Sequence, residues 1–487
     1  MRYDRGVRRS SDGVFAGVLG TAMLFLYRPL LGQPLLLDDV GLFHFLRLGL
    51  AGGAARSFGV ALWRCALPVY FRPLAAPVYW ILFRILGTAP AGYRVIMLAA
   101  AWGSALTLGR IARRLGAGPV AARSAAALYA FSWIQWSGLT LVAGLAQSLS
   151  DLLFWTALLI FLRDSRPRLA PAFAIASAAL LFKEHAIVWP LFAAAAAGPE
   201  RLRAVGQRRF ALAGGGWAAA YLLLRLASGT ADFAGAPYAP RLDPAAALRG
   251  TAVVLQALSA SWSALPARAG NPLEAAFALA LGAAAAAAML VPRAEPRPST
   301  ARLCTFALAG LAAGLLPYLA FPEALDADSV SRFTLAWGAA AVGVAAALES
   351  GMTRARAAAP RLSACAWIVA GSLLFFKTAA LFRHPDGSRR VFSRWPLMAE
   401  ARWLEGVLAP AAASAAAGDV FVFNGFRTVD RVPWRFQLLA AREVDVAADG
   451  ASPRDGWTVA LRSEDRRECV DVRPPAAAAW IGCRELP

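Results

Sequence analysis

Residues 124–150 contain no Asp, Glu, Lys or Arg, and neither do residues 95–109, 169–182 or 303–321. Charge-free apolar runs that recur along most of a chain are what a bilayer selects. The composition agrees: 59% of the 487 residues are hydrophobic and 16% are charged, against about 25% charged in soluble domains. A soluble globular enzyme, a fibrous chain and a disordered chain are excluded. The chain reads as an all-α polytopic membrane protein.

The net charge is 50 − 30 = +20. In a soluble protein that excess would point to nucleic acid. Here it sits mostly in short loops between apolar runs, so it reads as a topology signal, with some Arg free to meet lipid headgroups, and no nucleic-acid partner is expected. Spanning segments are expected near 14–31, 93–110, 121–139, 143–162, 169–182, 186–198, 208–227, 272–291, 303–321, 331–348 and 361–382, about eleven in all. The stretch 247–265 is read as a helix lying at the interface. With this count the basic clusters at Arg2–Arg9, Arg110–Arg123, Arg163–Arg168, Arg201–Arg209, Arg293–Arg302 and Arg354–Arg361 share one side, which is the cytoplasmic one. The first helix is read as uncleaved. The N-terminus is then cytoplasmic, and residues 32–92 and the tail lie on the other side.

Residues 32–92 alternate apolar and polar residues over Gly41–Leu50, Arg56–Leu67 and Leu74–Leu86, and carry Arg47, Arg56, Arg64, Arg72 and Arg84. They read as amphipathic helices on the outer face, either anchored there by snorkelling Arg or forming a lid over a lipid-phosphate site. Two units follow: 1–382, the transmembrane part, and 383–487, a small α/β domain with a helix near Met398–Leu408 and strands at Asp419–Asn424 and Trp457–Leu461. Of the five Cys, Cys65, Cys304 and Cys365 lie in or beside apolar segments and read as packing residues, while Cys469 and Cys483 share the polar tail. No zinc-ligand spacing occurs.

Ionisable residues near a membrane are functional candidates because burying them is expensive. Four places stand out. Asp38–Asp39 follows the first helix; the pair is suited to hold a divalent cation such as Mg²⁺ or Mn²⁺, to accept a proton, or to cap the next helix. Lys183–Glu184–His185 forms the tip between two short apolar arms, where Lys183 is suited to hold a phosphate and Glu184 to pair with it. Asp151 lies at the outer end of the fourth segment, as a capping residue or as a partner for a lid Arg. Arg332 begins a helix that runs inward, where it would either hold a phosphate or pair with Asp326 or Asp328. All four fall on one side of one topology. Acids beside Lys and Arg suit a reaction that deprotonates a hydroxyl and releases a phosphate.

At these residues the chain resembles the GT-C superfamily of membrane glycosyltransferases, which use polyprenyl-phosphate-linked sugars. The resemblance is strongest to the bacterial relatives of transmembrane O-mannosyltransferases that carry TPR repeats. Asp38–Asp39 stands where that superfamily has its modified DxD motif. Tyr70–Leu74 stands for a Tyr-Arg-Pro-Leu stretch, Leu149–Leu153 for Arg-Ala-Asp-Leu-Leu, Phe182–His185 for Ser-Lys-Glu, and Ser331–Phe333 for Ser/Glu-Arg-Tyr. Order and rough spacing agree over 14–350. The chain departs at Ser132–Trp136, where relatives often have His-Pro-x-His-x-Glu, and it has no Arg before Asp151 and no TPR array.

The resemblance implies an inverting hexosyl- or pentosyltransferase in a bacterial inner membrane. It would move a sugar from a polyprenyl-phosphate donor to a periplasmic protein, glycan or lipid. Asp38 or Asp39 would be the base. Lys183 and Arg332, with Arg72, would hold the phosphate. Glu184, His185 and Asp151 would support them. No cofactor is required, and a metal on Asp38 and Asp39 is optional. A periplasmic tail would permit a Cys469–Cys483 disulfide. The rival readings are a flippase for a lipid-linked sugar and a non-catalytic scaffold on the same fold.

Overall fold

The computed structural model describes residues 3–36, 39–43, 46–47, 71–163, 168–227, 243–245, 251, 298–319, 330–358, 395–414, 420–424, 445–447, 457–464, 467–473 and 480–485. The helices in chain order are α1 (Tyr3–Leu31), α2 (Ala75–Leu86), α3 (Pro90–Arg114), α4 (Pro119–Ala130), α5 (Trp133–Thr140), α6 (Leu145–Phe161), α7 (Leu169–Phe182), α8 (Trp189–Val205), α9 (Gln207–Ala227), α10 (Pro298–Leu319), α11 (Thr334–Ala358) and α12 (Trp395–Ser414). Short 3-10 turns at Val142–Gly144, Glu184–Val188 and Val330–Phe333 open α6, α8 and α11. Proline starts α3, α4 and α8, where its missing N–H leaves no intrahelical bond unmade.

Four described stretches are long and apolar enough to cross a membrane: Ser11–Leu31, Pro90–Arg114, Val142–Phe161 and Gln207–Ala227. Shorter apolar helices accompany them at Ala75–Leu86, Leu169–Phe182, Arg302–Tyr318 and Thr334–Ser350. The outward faces are apolar too. On α9 only Phe210, Gly214 and Tyr221 are buried, while Leu212, Leu222, Leu223, Leu224 and Leu226 are exposed. A helix that turns its leucines outward is surrounded by lipid rather than water. This is a membrane protein. The expected spans 272–291 and 361–382, the interfacial stretch 247–265 apart from residue 251, and the lid helix Arg56–Leu67 lie outside the described residues.

The expected span 121–139 is two helices. Ser132 has extended backbone, and its hydroxyl accepts the Gln135 N–H at 3.1 Å, capping α5. That hydrogen bond offers the chain an alternative to continuing α4. The expected span 186–198 likewise begins with a 3-10 turn and kinks at Gly198, where φ is +68° before Pro199.

The core is aromatic at its centre. Trp155 meets Phe154 and Phe192 edge-on at 5.1 and 5.8 Å, and its indole donates to the Tyr129 hydroxyl at 3.3 Å. The α10–α11 crossing is close because both surfaces are small. A Cβ on Gly314 would lie 2.7 Å from the Ala336 nitrogen, and one on Gly310 2.6 Å from the Ala339 Cβ. Gly310 and Gly314 form the GxxxG spacing that lets membrane helices touch backbone to backbone.

The described basic loops gather at one end of the bundle. There Asp12 pairs with Arg123 at 3.1 Å and Arg113 at 3.5 Å. Arg114 donates to the Arg163 carbonyl, and Glu349 accepts the Gly118 and Ala121 N–H groups that open α4. The C-terminal strands β1 (Val420–Asn424), β2 (Asp445–Ala447), β3 (Trp457–Glu464), β4 (Arg467–Arg473) and β5 (Trp480–Glu485) form a mixed sheet in the order β2-β1-β3-β4-β5. β1 runs parallel to β2 and β3, and the other pairings are antiparallel. Helix α12 packs against β4 and β5. It also reaches the bundle: Ala401 belongs to the main core, and Glu405 is felt by the charge of Arg94.

Candidate active site

The site is built where four breaks in the helices meet, at the end of the bundle opposite the basic loops. The first is the segment after α1. Arg94, buried at the start of α3, donates to the carbonyls of Gln33, Pro34 (2.9 Å) and Thr140 (3.1 Å). This fixes the approach to Asp39, which opens the helical stretch 39–43. Asp39 is fully buried. One carboxylate oxygen accepts the Leu36 N–H at 3.1 Å and the other the Ala143 N–H at 2.7 Å. Burial pushes its pKa above the ordinary value, against the pull of the Arg94 charge and these backbone donors.

The second break is the turn between α5 and α6. Its carbonyls at Ala143 and Val142 accept from the Tyr79 hydroxyl at 2.8 and 3.1 Å, and that hydroxyl accepts the Ala146 N–H at 3.2 Å. A Cβ on Gly144 would lie 2.3 Å from the Gly138 carbonyl, so the turn closes only with glycine there. Asp39 from one side and Tyr79 from the other hold this turn, and Gln147 follows it in the first turn of α6.

The third break is the tip after α7. Helix α7 has 14 residues, a rise of ~21 Å, short of a ~30 Å hydrocarbon core. The chain leaves it in extended form at Lys183. Arg72, just before α2, grips Glu184 with two parallel hydrogen bonds of 3.0 and 2.8 Å. The backbone bond from Leu74 to the Leu181 carbonyl (3.2 Å) sets that register. Burial would raise the Glu184 carboxyl, but the Arg72 charge and its hydrogen bonds carry it well below the usual range. His185 and Asp151 are both buried, with His185 Nε2 2.8 Å from an Asp151 oxygen. Lys183 Nζ donates to the Gln147 amide oxygen.

The fourth break is the turn Val330–Phe333, against which α5 packs. It carries Arg332, whose carbonyl accepts from the Tyr318 hydroxyl at 3.1 Å, while Tyr318 packs edge-on against Phe333 at 4.9 Å. The Lys183 ammonium senses Arg72, Glu184, Arg332 and Asp151 together. Burial first, and then repulsion by Arg72 and Arg332, bring its pKa down to about 7, partly offset by Glu184 and Asp151. With Lys183 protonated, three cations against two carboxylates leave a net positive mouth suited to an anion.

No family model matches the chain, and no curated protein matches it. Among solved structures, the crystal structure of ArnT from Cupriavidus metallidurans in the apo state aligns over 93% of this chain and 93% of that one, with a TM-score of 0.53 and 12% identity. The chain resembles ArnT. The likeness to ArnT is one of fold.

Of the residues expected from sequence, the structure brings Arg72, Asp151, Lys183, Glu184, His185 and Arg332 into one neighbourhood, with Asp39 beside it across the Val142–Gly144 turn. Asp38, Asp326 and Asp328 lie outside the described residues. Among the described residues no three His, Cys, Asp or Glu side chains gather as a metal site, and both Asp39 oxygens are committed to backbone N–H groups. Cys304 is a half-buried cysteine of α10. The β4–β5 register sets Cys469 directly opposite Cys483. Sequence reasoning missed Gln147, Tyr79, Arg94 and Thr334. Gln147 had a signal, being a long polar side chain in the charge-free run 124–150.

Proposed function

We propose that this chain is a GT-C-type glycosyltransferase that takes a sugar from a polyprenyl-phosphate donor and passes it to an acceptor on the extracytoplasmic side. The observation that carries the reading is the gathering of Lys183, Arg332 and the Arg72–Glu184 pair beside the Asp39 segment. The fold likeness to ArnT supports it.

The donor phosphate sits between Lys183 and Arg332, with Arg72 behind them. Asp38 takes the proton of the acceptor hydroxyl, while its neighbour Asp39, fully buried, holds the turn before α6. The acceptor oxygen bonds to the anomeric carbon from the face opposite the phosphate. The carbon–oxygen bond to the phosphate breaks, and its electron pair leaves on the phosphate oxygen. The configuration inverts, and the product is free polyprenyl phosphate. Lys183 and Arg332 stabilise the charge that develops there. A bacterial inner membrane, a periplasmic tail and a hexose or pentose donor belong to the same proposal.

The test uses purified protein in lipid with a panel of polyprenyl-phosphate sugars and candidate acceptors, following release of polyprenyl phosphate. Wild type is expected to release it, Asp38→Asn to release none, and Lys183→Ala to be slower by about 10²–10³-fold. Release unchanged in the Asp38→Asn/Asp39→Asn double variant, or no release by folded wild type with any donor and acceptor, would overturn the reading.

A further inference from the structure

Gln147 joins three parts of the chain that are far apart in sequence. Its side chain is buried. The amide oxygen accepts from Lys183 Nζ, and the amide nitrogen donates to the Thr334 hydroxyl at 2.9 Å. Thr334 opens α11, two positions after Arg332. A primary amide suits this place because it accepts on one side and donates on the other without adding charge. The backbone of Gln147 is fixed in turn by the start of α6, which Tyr79 and Asp39 hold.

Arg72 already commits its fork to Glu184. Lys183 feels the charge of Arg332, and Gln147 is the bridge between their two segments. We infer that Gln147 is a positioning residue for a phosphate: its amide holds Lys183 and the Arg332–Thr334 turn at the spacing at which both cations meet one phosphate group. The inference rests on the proposed reading in so far as the phosphate is that of a lipid-linked sugar.

The choice of lysine at 183 supports this. Lysine occurs at two positions, Lys183 and Lys377, among 50 Lys and Arg residues. An arginine would keep its charge whether or not an anion were present, whereas a lysine can give up its proton in the empty site and regain it with the ligand. The groups that set this balance are Arg72 before α2, Glu184 beside Lys183, Arg332 before α11, and Asp151 on α6 with His185 against it. The uncharged Gln147 oxygen favours the protonated form by accepting its hydrogen bond.

The scarcity of lysine makes the test direct. Full-length protein in lipid nanodiscs is acetylated with acetic anhydride from about pH 5 to 10, and the labelling of Lys183 and Lys377 is read by mass spectrometry. Gln147→Glu should move the half-labelling pH of Lys183 up by about one unit, and Gln147→Leu should move it down. Lys377 should stay where it is. A general loosening of the fold would not give opposite signs at one position. Polyprenyl phosphate is then added as protectant, with polyprenol as the phosphate-free control. It should protect Lys183 in wild type, and Gln147→Leu and Thr334→Val should need about tenfold more of it. Should Gln147→Leu fail to fold, Gln147→Glu and Thr334→Val decide.

Unchanged labelling in Gln147→Glu, or wild-type protection in Thr334→Val, overturns the inference. The two readings separate cleanly. Protection that depends on Gln147, in a wild type that cleaves no donor, sinks the glycosyltransferase and keeps the phosphate seat. Donor cleavage with an unchanged KM in Gln147→Leu keeps the enzyme and sinks the positioning role.

Discussion

A carboxylate serves as a base only within reach of the proton it takes, and Asp39 is fully buried with one backbone N–H on each of its oxygens. Asp39→Asn keeps the shape but replaces one acceptor with a donor facing another donor. It is expected to destabilise the protein by about 1–3 kcal/mol, seen as a lower apparent melting temperature, whereas Asp38→Asn should melt like wild type and lose turnover. A normal melt for Asp39→Asn together with lost turnover would reverse the two roles. Lys183 carries the pH dependence. Its pKa in the empty site is about 7, and the protonated form is the one that binds phosphate. Donor kcat/KM, which reports the free enzyme, should therefore fall as pH rises through about 7. The bound phosphate raises the pKa of Lys183, so kcat should hold to higher pH. A Lys183→Arg variant should lack the fall, and a fall that survives it would assign the limb to another group. EDTA should leave donor cleavage unchanged, since the charge on the phosphate is met by side chains; loss of activity restored by Mg²⁺ or Mn²⁺ would place a metal in the step.

Helix breaks, more than helices, make the site, and the breaks depend on small residues as well as caps. Arg332 is carried by the turn that feeds α11, and α11 is held against α10 by the Gly310/Gly314 contact. Gly314→Leu must push these helices apart at the Ala336 backbone. It is expected to destabilise by about 1–3 kcal/mol and to raise the donor KM by displacing Arg332. Gly406→Ala on α12, where a Cβ would meet nothing within 4 Å, should not destabilise the protein or move the donor KM, and equal effects would refute the packing account. The same contrast explains what the sequence disclosed. Apolar runs such as 95–109 and 169–182 marked α3 and α7, and charges at run ends marked Asp151, Lys183 and Arg332. The stop at Ser132 was hidden because one serine in an apolar run looks like any other until its hydroxyl is seen on the Gln135 N–H. Arg94 looked like one more basic residue, since its three carbonyl partners come from Gln33, Pro34 and Thr140 and only the fold brings them together.

At the scale of the whole chain, the question is which compartment the site faces, and the tail provides the means to ask it. The described basic loops lie at one end of the bundle, while Asp39, Lys183 and the α12 contact through Ala401 and Glu405 lie at the other. On the proposed reading the positive-inside rule would put the site and the tail outside the cytoplasm. Cys469 and Cys483 are directly opposed on β4 and β5, and opposed residues on antiparallel strands lie about 4.5–5.5 Å apart at Cα, within the range a disulfide needs. A disulfide persists in an oxidising compartment and not in a reducing one, so the state of these thiols reports the side of the membrane. In protein taken from intact cells by acid trapping, Cys469 and Cys483 are expected to resist alkylation until reduced, while Cys304 is alkylated after denaturation without reductant. Because α12 packs on both the bundle and the sheet, the result carries over to the mouth that holds Lys183. Free thiols at both positions would put that mouth in the cytoplasm, reverse the topology and remove the extracytoplasmic acceptor, while leaving the phosphate geometry of Lys183, Gln147 and Arg332 to be judged by its own test.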